Sequence, residues 1–117
     1  MINVLSGLRK YLKNNSSAYN NLIRKEAVIG GRIFGRIPSN VSRSFFCLDE
    51  NTWVFHEDTT LKNGSVKTNI IRYELQPDRI VKVINGNRYL LSHDEKQNFY
   101  KATKTYQKRV FSELYSV

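Results

Sequence analysis

His56-Glu57-Asp58 is the run in this 117-residue chain that comes nearest to catalytic or metal chemistry. Side chains alternate along a strand, so His56 and Asp58 project together while Glu57 faces away, leaving two potential ligands rather than three. With Glu74 as a third group these residues define one function the sequence allows, a small enzyme or metal site centred on His56. The same residues also suit a solvated sheet face of cross-strand ion pairs, each contributing ~0.2–1 kcal/mol. His93, the other histidine, stands at the start of a helical pattern and is read as a helix-start residue.

Nucleophilic chemistry has less to work with. Cys47 is the only cysteine and sits in Phe45-Phe46-Cys47-Leu48, where apolar neighbours raise a thiol pKa, so a buried, inert thiol is expected and no intramolecular disulfide or Cys-based metal site can form. No serine has the glycine-framed elbow of a hydrolase. Gly30-Gly31-Arg32-Ile33-Phe34-Gly35 has the wrong spacing for a P-loop or a dinucleotide fingerprint, and no strand pattern precedes it. Glycines beside Ala27 are better explained by close packing of a helix on a sheet. No metal and no cofactor is expected.

The uneven distribution of positive charge is the stronger functional signal. Residues 1–43 carry eight basic side chains, Arg9, Lys10, Lys13, Arg24, Lys25, Arg32, Arg36 and Arg43, against one acid, Glu26. That segment holds +7 of the +9 net charge, whereas residues 44–91 balance six bases against six acids and residues 92–117 carry five against three. A concentrated basic surface attracts polyanions, and arginine suits phosphate because its planar fork meets two oxygens at once. Exposed aromatics would add base stacking, but Trp53, Phe55 and Tyr73 serve that role only if a sheet face is open, and core is their expected place.

These residues need elements to hold them. Ile2, Leu5, Leu8 and Leu12 recur at steps of three and four and predict a short amphipathic helix. Asn14 to Ser17 interrupts it, and Ser16 or Ser17 caps a second helix with Tyr19, Leu22, Ile23 and Ala27 on its apolar stripe. Gly30-Gly31 costs a helix interior about 2 kcal/mol relative to alanine, which favours an end at Ile29. Continuation toward Pro38 would extend the apolar face through Ile33, Phe34 and Ile37 and align Lys25, Arg32 and Arg36 opposite it.

Strand patterns follow at Ser44–Asp49, Thr52–Leu61, Val66–Gln76 and Arg79–Ile84, with a short fifth at Arg88–Leu91. Turn chemistry separates them, so an antiparallel meander is predicted. A three-residue loop with Gly64 left-handed sets Trp53 opposite Tyr73 and Phe55 opposite Ile71, gathering the aromatics with Leu75 on the core face. His56, Asp58, Arg72 and Glu74 then share the other face. Ser92-His93-Asp94-Glu95 matches a capping box, and Phe99, Ala102, Tyr106, Val110 and Leu114 follow at helical spacing, predicting a helix from about His93 to Tyr115.

The expected fold is therefore α+β. An N-terminal helical segment (1–37), a four- to five-stranded antiparallel meander (44–91) and a C-terminal helix (93–115) form one domain over 1–117, with the helices on one sheet face. A cystatin-like arrangement is the nearest familiar architecture and implies no function. The aromatic content exceeds that of a disordered chain, and no stretch approaches the ~18 apolar residues of a membrane span. The N-terminus does not read as a secretory signal, so the cytoplasm is the expected location.

Phe45-Phe46-Cys47-Leu48-Asp49-Glu50, Thr52-Trp53-Val54-Phe55-His56-Glu57 and Arg72-Tyr73-Glu74 together resemble a set of small uncharacterised proteins from reduced-genome bacteria. The resemblance covers residues 24–115 and implies no activity, ligand or catalytic residue. The leading expectation is a non-catalytic binding module for nucleic acid or another polyanion through Arg24, Lys25, Arg32, Arg36 and Arg43. A protein-interaction domain meeting an acidic partner, with Leu5, Leu8 and Leu12 offered as a docking stripe, is the alternative. The His56-centred enzyme ranks third.

Overall fold

The computed structural model describes residues 16–116. The predicted stripe of Ile2, Leu5, Leu8 and Leu12 lies outside them. Helix α1 (Ser16–Gly31) runs directly into a 3-10 turn, Arg32–Phe34. Five strands follow, β1 (Val41–Asp49), β2 (Thr52–Thr60), β3 (Val66–Gln76), β4 (Arg79–Ile84) and β5 (Asn87–Leu90), and then helix α2 (His93–Val110), which ends in a π turn, Phe111–Tyr115. The sheet is a pure antiparallel meander in the order β1-β2-β3-β4-β5. The α+β architecture is thus the one expected.

Helix α1 passes through Gly30-Gly31 rather than stopping before them. Their role is approach, not flexibility. A Cβ built on Gly30 would stand 1.8 Å from the Phe45 carbonyl oxygen, and one on Gly31 would stand 2.0 Å from that of Arg43. Only glycine lets the helix lie this close to the β1 backbone, which outweighs the helix-propensity cost of the pair. This lays α1 along β1, one edge strand of the sheet, where an uncovered strand would invite edge pairing. The other edge, β5, is four residues long and exposed throughout.

The loop between β2 and β3 turns on Gly64, which has φ of 85° and donates its N–H to the Leu61 carbonyl at 2.9 Å. That geometry fixes the register at Trp53 opposite Tyr73 and Phe55 opposite Ile71. On β1 the same rows continue to Cys47 and Phe45. Trp53 is wholly buried, stacked on Phe45 at 5.2 Å between centroids and edge-on to Tyr106 at 5.0 Å. Such offset and T-shaped pairs add to the burial of large aromatic surfaces. Cys47 is buried as expected, its Sγ donating to the Asp49 carbonyl at 2.9 Å.

Helix α2 begins in the predicted capping box. The Ser92 hydroxyl accepts from the Glu95 N–H at 3.2 Å and the Glu95 carboxylate accepts from the Ser92 N–H at 3.1 Å. Phe99, Thr103, Tyr106 and Val110 are its buried positions, steps of four, three and four that turn one stripe onto the sheet. Both helices lie on the Trp53 side. The opposite sheet face, with His56, Asp58, Arg72 and Glu74, carries no helix among the described residues.

Candidate functional site

Of the predicted basic residues, the structure brings three together. Arg24, Lys25 and Arg32 line a shallow groove of about 390 Å³ with Val28, Ile29, Glu113 and Leu114, formed where α1 meets the π turn after α2. Arg24 and Lys25 are exposed, and Val28 between them is 58% exposed, an uncovered apolar spot ringed by cations. Arg32 Nη2 meets Glu113 Oε1 at 3.2 Å and Arg109 Nε meets Glu113 Oε2 at 3.5 Å. One carboxylate therefore serves two guanidinium groups, and the groove keeps a net positive charge.

Glu26, the only acid of residues 1–43, takes no part in this surface. Its side chain is fully buried between the helices. Tyr106 donates to one carboxylate oxygen at 2.9 Å and Tyr115 to the other at 2.5 Å. A carboxylate turned inward and hydrogen-bonded there satisfies the requirement on buried polar groups. It also leaves α1 with no acidic side chain of its own on the solvent side.

Arg36 and Arg43 stand apart from the groove. The α-helix ends before either, so no helical strip aligns Lys25, Arg32 and Arg36; Gly35, with φ of 105°, redirects the chain and leaves Arg36 in an exposed loop. Arg43 lies on β1 across from Glu57, and its Nε donates to Glu57 Oε2 at 2.7 Å with the guanidinium side chain only 14% exposed. The sheet register thus spends Arg43 on an internal ion pair.

Basic residues that the sequence reading left out of its candidate set join the helical layer from α2. Lys101, Lys104 and Lys108 are exposed and form no ion pair with another described residue. On the sheet, by contrast, Arg72 and Arg88 share Glu74, Arg79 holds Asp78 and Lys82 holds Glu95. Charges on the sheet are largely neutralised in pairs, while on the helical layer Arg32 and Arg109 share Glu113 and Arg24, Lys25, Lys101, Lys104 and Lys108 form no ion pair with another described residue. Spacing along α2 carried this signal: 101, 104 and 108 fall on one face at steps of three and four.

A second concavity, separate from the groove, is an aromatic cleft. It measures about 240 Å³ and lies between the inner sheet face and α2, with Phe34, Phe55, Ile71, Tyr73, Phe99 and Ala102 among its walls and Glu95 and Asn98 as its polar members. Phe34, at the end of the 3-10 turn, is 45% exposed and edges onto Phe45 at 5.2 Å and Phe55 at 5.5 Å. The helices cover the Cys47–Trp53–Tyr73 row but reach only part of the next, Phe45–Phe55–Ile71, so that row forms the cleft floor. Phe55 and Tyr73 pack against the core on the expected face, but both are only half-buried and leave part of each ring to the cleft. Burial raises the Tyr73 phenol pKa.

At the cleft rim Lys82 Nζ and Glu95 Oε2 meet at 2.5 Å. The hydrogen bond from Lys82, helped by the Ser92 N–H, lowers the Glu95 carboxyl, and the same bond raises Lys82.

The His56 cluster divides in two on the open sheet face. His56 Nε2 lies 3.1 Å from Asp58 Oδ1, and Thr68 donates to that same oxygen at 2.6 Å. The Thr68 bond, then the His56 bond, lowers the Asp58 carboxyl. Glu74 belongs elsewhere: Arg88, then Arg72, hold it below its ordinary range. His56 faces Ile70 in the register, four residues from Glu74, roughly 13 Å along the strand. His56 and Asp58 are about two-fifths exposed, and among the described residues no group of three His, Cys, Asp or Glu is arranged to hold a metal.

No protein-family model, curated protein or solved structure matches this chain. Among the described residues no helix is long and apolar enough to cross a membrane.

Proposed function

We propose that this chain is a non-catalytic binding module that holds a polyanion, nucleic acid foremost, on the basic surface of its helical layer. What supports the reading is the arrangement around Glu26. The only acid of α1 is buried against two tyrosines while Arg24, Lys25 and Arg32 line the groove on the solvent side. Phosphates need no elaborate geometry from such a surface; each contact releases counterions and adds affinity that salt erodes.

Charge reversal tests it. Arg24→Glu with Lys25→Glu is expected to abolish binding of a fluorescein-labelled oligonucleotide in an anisotropy titration at low salt. Lys62→Glu with Lys67→Glu, which removes the same charge at the exposed tip of the β2–β3 hairpin, is expected to change affinity far less. Equal losses in the two variants would mean that net charge alone drives binding. Binding to an acidic protein surface with none to oligonucleotide or heparin would move the reading to the protein-interaction alternative.

A further inference from the structure

The groove and the cleft have no wall residue in common, but each takes one from the same 3-10 turn, Arg32–Phe34. Arg32 opens the 3-10 turn and belongs to the basic groove; Phe34 closes it and belongs to the aromatic cleft. A ligand that suited only the groove would be a bare polyanion. One that suited both would carry phosphates and flat rings along one flexible chain.

Resting on the polyanion reading above, we propose that the ligand is a single-stranded nucleic acid, one of whose bases leaves its stack and enters the cleft of Phe34, Phe55, Tyr73 and Phe99. Its phosphates lie on Arg24, Lys25 and Arg32. The size fits, since an apolar cavity of about 150 Å³ admits benzene and this cleft offers about 240 Å³. The lining fits as well: every base has a π-face, and aromatic walls take bases of any sequence. Asn98 is exposed at the cleft and supplies both donor and acceptor to a base edge. Glu95, held by Lys82, adds an acceptor. A duplex keeps its bases stacked and paired, so it would engage the groove alone.

The cleft closes on itself without a ligand only in part, because Phe34 remains half exposed over it. Ala102, half-buried in the wall, is the position from which a larger side chain fills the cleft.

The test compares a labelled thymidine decamer, an abasic deoxyribose-phosphate decamer, a duplex decamer and heparin, all at one low salt concentration, on wild-type protein, Phe34→Ala and Ala102→Phe. Wild-type protein is expected to bind the thymidine decamer roughly 5- to 150-fold tighter than the abasic strand, the span that base–aromatic stacking allows. Either variant should erase that difference and leave heparin binding unchanged. Circular dichroism confirms folding, and Phe34→Ala carries the test should Ala102→Phe not fold. Equal affinity for the thymidine, abasic and duplex decamers, with heparin still bound, overturns the base-in-cleft proposal while the polyanion reading stands. No binding to any of the four, heparin included, overturns both.

Discussion

Tyr106 donates its hydroxyl to Oε1 of Glu26 at 2.9 Å, tying α2 to α1 across 80 residues of sequence. With Tyr115 on the other oxygen at 2.5 Å, this contact locks the two helices together and keeps the carboxylate off the basic surface. Tyr106→Phe removes one donor from a buried acceptor and is expected to cost about 1–3 kcal/mol of stability. Urea denaturation measures it. Well below the unfolding transition, polyanion affinity should be unchanged, because the groove side chains do not depend on that hydroxyl. A variant as stable as wild type would show that the bond contributes nothing net.

Gly30→Ala separates propensity from packing. In an exposed helix the change would stabilise by about 1 kcal/mol. Here the added methyl would meet the Phe45 carbonyl oxygen at 1.8 Å, so α1 must shift from β1, and a net loss of about 1–3 kcal/mol is expected from overpacking. The urea midpoint should fall. A rise would mean that the helix moves away from the strand at no cost.

Acid weakens the fold through its paired carboxylates. Asp58, Glu74, Asp78 and Glu95 all have lowered pKa values, by hydrogen bonds from Thr68, Arg88, Arg79 and Lys82 respectively. A carboxyl lowered in the folded state stabilises above its unfolded pKa, and that contribution disappears as pH falls through the folded value. Asp78 is exposed and the other three are partly exposed, which keeps each contribution small. The melting temperature is expected to fall on acidification below the ordinary carboxylate values of 3.8 for Asp and 4.5 for Glu. Lys82→Met should flatten the Glu95 part of that fall. At the alkaline end Lys82 is raised by Glu95 and Tyr73 by burial, so their contributions are present at neutral pH and disappear as pH rises past about 10. An identical acid profile for Lys82→Met would remove the Glu95 pair from the account of acid stability.

Local signals carried most of the architecture. The Ser92–Glu95 capping box and the Gly64 turn are written in adjacent residues, and both appear in the structure as expected. The Val66–Gln76 and Arg79–Ile84 strands match residue for residue. What was not legible depends on approach between distant segments. Gly30-Gly31 reads as a helix stop until the β1 backbone is known to lie against it. β1 starts at Val41 rather than Ser44, because pairing with the far end of β2 extends it. The same pairing sets Arg43 on Glu57 and withdraws it from the predicted basic strip. Phe34 becomes a cleft wall only because the 3-10 turn folds it over Phe45 and Phe55.

Binding of a labelled thymidine decamer across a series of salt concentrations tests the polyanion claim most directly. Contacts from Arg24, Lys25 and Arg32 would neutralise three phosphates at ~0.7 each on a single strand, so log affinity is expected to fall against log salt with a slope of about −2. A slope near zero, or no binding at low salt, would contradict the assignment of the helical layer as a polyanion surface.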